Sequence, residues 1–252
     1  MKQLKATVVI MTLALVLASV GGAMAASYYD NFSAGLGPSG WNGNSSYYSL
    51  IAGPLYDCNT ATTGVSFDQS AYAVNWNMPS AWTLTGNYQL VQGYNSGRLL
   101  NADLRINGTL GNILADVEYA TDSKQALLQV QYWNGSSWIT VMNNSYFGGW
   151  SANGSVNLSN CSMTLTRAAG ASVLGVQLNT GTVAWSGTTS AFAAGWLDTL
   201  TYPGFRVYSG HVDFQSLQLT DNTAPVPEPS SILFMVPGVA GLLGLAIRRR
   251  MS

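Results

Sequence analysis

The sequence predicts an all-β protein: a single β-sandwich of the jelly-roll type, flanked by an N-terminal signal peptide and a short C-terminal transmembrane helix. Three observations predict this. Both strongly apolar runs of the 252 residues lie at the two ends of the chain. Between them, apolar and polar residues alternate with a period of two, which is typical of half-buried strands. Gly, Asn, Ser and Thr turns separate about a dozen such segments, which suits one sandwich.

Residues 1–25 have the pattern of a secretory signal peptide. Two lysines precede an apolar stretch at 6–20, and Ala23 and Ala25 place small residues at the −3 and −1 positions. The alternative, an uncleaved membrane anchor, requires a longer apolar run. We expect signal peptidase to cleave after Ala25, which exports the rest of the chain.

The strands of the predicted sandwich occupy residues 26–219. Apolar residues alternate with polar ones at 100–106, 128–132 and 174–178, so each segment has one face suited to burial. The segment 212–219 changes face around Ser216, which predicts a β-bulge.

A hairpin is predicted where Asn134-Gly135 separates two apolar segments. Asn and Gly tolerate the positive φ that tight hairpin turns require. The following Ser136-Ser137 is expected to lengthen this loop.

The charge content excludes several classes of function. Only 8% of the residues are charged, and 26–226 contains five basic residues against ten acidic ones. Such a surface offers little to a phosphate backbone, so we expect no nucleic-acid binding. One histidine and two cysteines argue against a zinc site, which usually needs three or four ligands.

The C-terminal residues form a second targeting segment. Pro227-Glu228-Pro229 is followed by an apolar run at 232–247 and then by Arg248, Arg249 and Arg250. As a helix this run reaches about 24 Å, slightly less than a hydrocarbon core. The arginines are expected to stop transfer on the cytoplasmic side.

This order closely resembles the PEP-CTERM sorting signal of exported bacterial proteins. The resemblance covers 227–252, with 220–226 as a linker, and it implies recognition by an exosortase and cleavage near Pro227-Glu228-Pro229. It also implies a setting in which extracellular polysaccharide and biofilm matrix are made. The alternative is an ordinary C-terminal anchor with a chance Pro-Glu-Pro.

The first and last strands of the sandwich loosely resemble those of galactose-binding and concanavalin-like jelly rolls. The segments that carry this resemblance are 29–33 and 212–217. It implies that a structural Ca²⁺ ion could lie between Asp30 and Asp213, although no calcium-loop motif is present. No other cofactor is expected.

Two cysteines enter an oxidising compartment if the chain is exported. A disulfide between Cys58 and Cys161 is therefore predicted, and it would stabilise the fold by a few kcal/mol if unstrained. The alternative is a pair of thiols too far apart to bond.

Aromatic residues set among Asn, Gly and Ser are candidates for contacting glycans. We single out Trp41, Tyr48, Trp133, Trp138 and Trp150. Exposed rings can stack on sugars while amides bind hydroxyl groups, but aromatic side chains are also ordinary core residues. A coplanar exposed group would favour binding, and scattered buried rings would favour packing alone.

Catalytic chemistry is not predicted. His211 could act as the base of a Ser-His-Asp triad only beside an oriented serine, and the sequence has no Gly-x-Ser-x-Gly nucleophile motif. Asp116 and Glu118 share one face of a strand, but their neighbours do not suggest a raised pKa.

Together these patterns predict a non-enzymatic surface or matrix protein that associates with extracellular polysaccharide. Its expected partners are signal peptidase, the secretion machinery, the membrane as a transient anchor, and exosortase. The alternatives are a purely structural surface protein without a ligand and a secreted glycan hydrolase.

Overall fold

A computed structural model of the chain describes residues 27–33, 40–43, 48–51, 55–59, 69–73, 76–92, 99–120, 125–147, 158–180, 184–209 and 211–223. The predicted signal peptide (1–25) and sorting signal (227–252) lie outside these residues. Among the residues described, no helix has both the length and the apolar character needed to cross a membrane.

The described residues form fifteen β-strands and one short 3₁₀ helix, Trp196–Thr199. The strands of the first half are β1 Ser27–Asp30, β2 Trp41–Gly43, β3 Tyr48–Ile51, β4 Leu55–Asn59, β5 Gln69–Ala73, β6 Trp82–Gln92, β7 Leu99–Gly108 and β8 Asn112–Ala120. Those of the second half are β9 Gln125–Trp133, β10 Trp138–Phe147, β11 Leu158–Arg167, β12 Gly175–Asn179, β13 Ala184–Thr188, β14 Leu200–Ser209 and β15 His211–Asp221.

These strands form two antiparallel sheets. The eight-stranded sheet has the order β13-β12-β11-β6-β15-β4-β3, and β1 pairs with β15. The seven-stranded sheet has the order β10-β9-β8-β7-β14-β5-β2. The predicted all-β sandwich is therefore confirmed.

The core lies between the two sheets because alternate side chains of each strand point inward. Leu84 and Phe214 come from the eight-stranded sheet, and Leu104 and Phe205 come from the seven-stranded one. The rings of Phe205 and Phe214 stack across the interface, with centroids 4.0 Å apart. Burying each such side chain stabilises the fold by about 1.5–3 kcal/mol.

The alternating segments predicted from sequence lie in β7 and β9 and, from Gly175 onward, in β12. Their apolar positions are buried wherever the structure describes the side chain, as the period of two requires. The register between β15 and β6 shifts between Phe214 and Ser216, so the predicted bulge is also confirmed.

The predicted hairpin joins β9 to β10 through four residues. The Asn134 carboxamide oxygen accepts hydrogen bonds from the backbone nitrogens of Ser136 (3.0 Å) and Ser137 (2.9 Å). Gly135 has φ of 96°, a left-handed value that favours glycine. The two serines lengthen the loop, as expected.

A buried arginine holds the 3₁₀ helix against the end of β11. The Arg167 guanidinium is 3% exposed and donates to Ala171 O (3.3 Å), to Leu197 O (3.1 Å) and to the Asp198 carboxylate (2.6 Å). These acceptors offset the cost of burying the cation. This anchor positions Trp196 and Leu197, which belong to the core.

The structure does not support the predicted disulfide between Cys58 and Cys161. Cys58 lies on β4 and Cys161 on β11, and both β15 and β6 stand between these strands. Three inter-strand spacings separate the two backbones by about 14 Å. A disulfide requires Cα atoms within about 7 Å, so the bond cannot form in this fold.

The last strand runs slightly further than the sequence predicts. β15 ends at Asp221, so its final two residues belong to the predicted linker 220–226. The Asp221 carboxylate then accepts hydrogen bonds from the backbone nitrogen (2.8 Å) and the hydroxyl group (2.6 Å) of Thr223.

Candidate functional site

Two of the predicted aromatic residues meet on the outer face of the seven-stranded sheet. On β9, Val130 and Tyr132 point into the core, so Gln131 and Trp133 point outward. The hairpin register places Trp138 of β10 directly opposite Trp133. The turn at Asn134 therefore brings the two tryptophans together.

The two rings do not form one flat surface. Their centroids are 5.6 Å apart, and their planes are inclined by 60°. Trp138 is 41% exposed, whereas Trp133 is half-buried. This arrangement leaves one well-exposed indole, supported by a second, in place of the coplanar group that would most favour ring stacking.

Amide and hydroxyl groups surround this pair. The Gln131 side-chain nitrogen donates to the Thr140 hydroxyl at 3.1 Å, immediately beside the tryptophans. Asn112 begins β8 beside Trp133, and its carboxamide oxygen is buried without a hydrogen-bond partner. We call Asn112, Gln131, Trp133, Trp138 and Thr140 the tryptophan patch.

The turn between β7 and β8 packs beside the tryptophan patch, against the backbone of Trp133. Gly111 has φ of 151°, and a Cβ atom there would lie 1.9 Å from the carbonyl oxygen of Trp133. Only glycine allows the turn to approach the hairpin so closely. The neighbouring Leu110 is 56% exposed.

A charged row crosses the same outer face. Register aligns Arg206 of β14, Asp103 of β7, Asp116 of β8 and Gln129 of β9. Arg206 donates to the Asp103 carboxylate. Asp103 is 1% exposed and Asp116 is 3% exposed, so these carboxylates are not open to a ligand.

Sequence reasoning missed this ion pair. It considered Asp116 with Glu118, which lie on the same strand, whereas Asp103 and Arg206 are 103 residues apart. Only the register between β7 and β14 brings them together. The outward polar position of each residue within its alternating strand was the one signal available.

The structure does not place Trp41 on the surface. Trp41 is 7% exposed, and its indole nitrogen donates to Asp30 at 2.9 Å. Its ring lies against Phe205, with centroids 5.0 Å apart. Trp41 is therefore a core residue, and the prediction that it contacts glycan is not supported.

The side chains of the other two predicted glycan contacts lie outside the described residues. Tyr48 begins β3 in the eight-stranded sheet, and its side chain lies outside the described residues. Trp150 also lies outside them.

The two acids considered for calcium do not meet. Asp30 pairs with Leu217, four positions along β15 from Asp213. The Asp30 carboxylate accepts hydrogen bonds from Phe32 N (2.7 Å) and from Trp41. Both carboxylate oxygens of Asp30 thus accept hydrogen bonds from N–H groups, so the surroundings of Asp30 do not fit a cation. No group of three metal-ligating side chains occurs in the described part of the chain.

The residues considered for catalysis do not form a described site either. His211 begins β15, with its side chain outside the described residues. Asp116 faces Asp103 and belongs to the buried charged row, and Glu118 is described only through its backbone in β8.

No protein-family model matches the chain, and its sequence matches no curated protein. Its fold, by contrast, is similar to solved structures. The CBM2 module of the evolved Dit protein from Lactobacillus casei BL23 phage J-1 is 11% identical, with a TM-score of 0.55 over 81% of this chain and 99% of that one. Arcelin-5, a lectin-like defence protein from Phaseolus vulgaris, is 13% identical, with a TM-score of 0.54 over 79% and 98%. The basic winged bean lectin, solved with Tn-antigen, is 10% identical, with a TM-score of 0.53 over 78% and 98%. At these identities the similarity shows a fold shared with lectins and a CBM2 module.

Proposed function

We propose that this chain is an exported bacterial surface or matrix protein that associates with extracellular polysaccharide through the tryptophan patch. The observation that carries the proposal is the exposed indole of Trp138 beside the amide and hydroxyl groups of Gln131 and Thr140. It stands on a sandwich of the same fold as lectins and a CBM2 module.

The chemistry of the tryptophan patch suits a sugar. An indole face packs against the apolar C–H face of a pyranose ring, while nearby polar groups bind the ring hydroxyls. Asn112 lies beside Trp133, but its carboxamide oxygen is buried, so the accessible polar groups of the tryptophan patch are those of Gln131 and Thr140. Because only one indole is well exposed, binding is expected to be weak for a single sugar and to depend on a polymer.

Export and processing rest on the sequence at the two ends. The signal peptide pattern ending at Ala25 supports secretion. The order of Pro227-Glu228-Pro229, apolar run and arginines supports processing by an exosortase and a transient membrane anchor before it. Together they support a position at the cell surface or in the extracellular matrix.

Binding is favoured over hydrolysis by the burial of the charged row. A glycosidase needs two carboxyl groups facing a bound sugar. Asp103 and Asp116 stand opposite each other, but both are almost fully buried and Asp103 is bound to Arg206.

The experiment is affinity electrophoresis of the full-length protein in non-ionic detergent, through gels containing a neutral glucan, xylan, galactan or mannan. We expect retardation in at least one gel. Trp138→Ala should weaken the apparent affinity about tenfold, because it removes the exposed stacking face.

Tyr29→Ala is the matched control, because Tyr29 is 61% exposed on the other sheet. It should migrate as the unaltered protein does. Retardation unchanged by Trp138→Ala would remove the tryptophan patch from the proposal, and free migration in every gel would favour a purely structural surface protein.

A further inference from the structure

The outer face of the eight-stranded sheet has an unusual composition. On β11 and β12, Met163, Leu165, Val176 and Leu178 are buried, and the alternate side chains point away from the core. Every outward side chain described on β6, β11, β12 and β13 is uncharged, and nearly all of them carry a hydroxyl or a carboxamide.

These groups are aligned across the strands. Register places Thr164 between Thr85 of β6 and Gln177 of β12, and Gln177 lies opposite Ser186 of β13. Ser162 and Asn179 form a second row, two residues further along β11 and β12. Polar groups therefore repeat at about 4.8 Å across the strands and about 6.8 Å along them.

A cavity of about 380 Å³ opens on this face, over β11, β12 and β13. Ser162, Thr164, Gln177, Asn179 and Ser186 line it, with Trp185 at the edge strand. This volume lies within the range of sites for small ligands.

One residue of the lining is ordered by a cross-strand contact. The hydroxyl group of Thr164 lies 3.0 Å from that of Thr85 on β6. Residues held by cross-strand contacts lose less side-chain entropy when a ligand binds than mobile ones would.

The side chains of this face indicate which class of ligand it suits. The described face offers no cation to bind a uronate, phosphate or sulfate, and the acidic excess of 26–226 repels anionic polymers. The apolar lining residues are Leu178, Ala184 and Trp185, and Leu178 belongs to the core. The rest of the lining is polar, so this face offers little to a protein interface, which needs a buried apolar centre. Neutral hydroxyl groups of a ligand, in contrast, match hydroxyl and carboxamide groups in both donor and acceptor roles.

We propose that this cavity is a second binding site, for a short segment of a neutral polysaccharide. It lies on the opposite face of the sandwich from the tryptophan patch. One molecule can then hold two polymer chains, one on each sheet, and cross-link them. The cross-linking rests on the proposed function, since the first chain is held by the tryptophan patch; binding at the cavity does not.

The test uses the double variant Gln177→Ala/Ser186→Ala, because both side chains are exposed and line the cavity. Thr166→Ala/Thr188→Ala is the matched control, on the same face but outside the lining. Affinity electrophoresis in the four neutral gels measures binding by the full-length protein in detergent. Light scattering by mixtures with the soluble form of the retarding polysaccharide measures cross-linking. Equal urea midpoints show that the variants are folded.

We expect the Gln177→Ala/Ser186→Ala variant to lose about fivefold in apparent affinity and to lose the scattering increase. The control variant should keep both, and an alginate gel should retard none of the proteins. Combining this variant with Trp138→Ala should abolish retardation.

Wild-type binding and scattering in the Gln177→Ala/Ser186→Ala variant would overturn the second site, with the tryptophan patch left standing. Loss of binding in this variant, together with unchanged binding in Trp138→Ala, would support the cavity site and contradict binding at the tryptophan patch. Free migration of the unaltered protein in all four gels would overturn both proposals.

Discussion

At the scale of single residues, the most unusual environment is that of the Tyr88 hydroxyl. Tyr88 is 1% exposed between the sheets, and its hydroxyl has no hydrogen-bond partner. Burial, with smaller contributions from Cys161, Asp103 and Asp116, raises its pKa well above the usual value. The folded protein therefore holds Tyr88 in its neutral form.

The stability of the protein should consequently fall at high pH. Above about pH 10 an unfolded tyrosine ionises while folded Tyr88 stays neutral, so this contribution to the unfolding free energy is lost as pH rises. Tyr88→Phe should weaken the decline and should leave stability at pH 7 unchanged or raise it by up to ~1 kcal/mol, because it removes an unsatisfied hydroxyl. Urea unfolding at pH 7, 9 and 10.5 measures both effects.

The control for this variant is Tyr29→Phe, since Tyr29 is largely exposed. It should unfold as the unaltered protein does at each pH. A pH dependence in Tyr88→Phe identical to that of the unaltered protein would show that Tyr88 ionises equally in both states.

Sequence could identify the candidate aromatic residues but could not sort them by exposure. Trp138 adjoins a hairpin turn that the sequence reveals, and this position predicts exposure. Trp41 has equally polar neighbours in sequence, yet it packs on Phe205. It does so because β2 pairs with β5, which in turn pairs with β14, the strand that carries Phe205. Exposure follows from strand order, which a local pattern does not contain.

At the scale of elements, the tryptophan patch depends on the contact between two turns. The β7–β8 turn reaches the hairpin only because Gly111 has no side chain. Moving this turn would displace Asn112 and the backbone of Trp133 together. The geometry of the tryptophan patch is thus set by a neighbour that makes no ligand contact of its own.

Gly111→Ala should lower the unfolding free energy by about 2–4 kcal/mol, because the new methyl group overlaps a backbone carbonyl. Gly170→Ala is the control: Gly170 also has positive φ (69°), but its Cβ would meet open space. It should cost only about 1–2 kcal/mol of backbone strain. Urea unfolding compares them, and equal losses would contradict the tight turn-to-hairpin contact.

The elements themselves were largely predictable, whereas their register was not. Strands at 100–106, 128–132 and 174–178, the hairpin at Asn134 and the bulge at Ser216 all follow from local patterns. The disulfide failed because β6 and β15 separate Cys58 from Cys161. The ion pair of Asp103 and Arg206 was missed for the same reason, since long-range pairing decides it.

At the scale of the whole molecule, both ends of the sandwich lie side by side. β1 and β15 are antiparallel neighbours, with Ser27 opposite Thr220. The first and last strands of the sandwich thus pair with each other in one sheet, with the start of β1 beside the end of β15. The proposed ligand surfaces lie on other strands, with the tryptophan patch on β8 to β10 and the cavity on β11 to β13.

Replacing Pro227-Glu228-Pro229 by three alanines should block maturation in the native host. Two prolines keep the segment extended for a processing enzyme, whereas alanines allow it to become helical. We expect an unprocessed, membrane-associated form to accumulate, detected by its larger mass in fractionated cells.

The control is the double variant Thr223→Ala/Val226→Ala in the adjoining linker. It should mature normally. Unchanged maturation and surface delivery of the triple-alanine variant would count against exosortase processing.

The central place of the last strand has a mechanical consequence. β15 pairs with β6 along one side and with β4 and β1 along the other. A pull on the C-terminal end, directed along the strand, loads the hydrogen bonds on both sides in shear. Many bonds must then break together, whereas an edge strand would peel away one bond at a time. If the protein is held at this end while polymers bound to its faces are pulled along the strand direction, this arrangement resists mechanical unfolding.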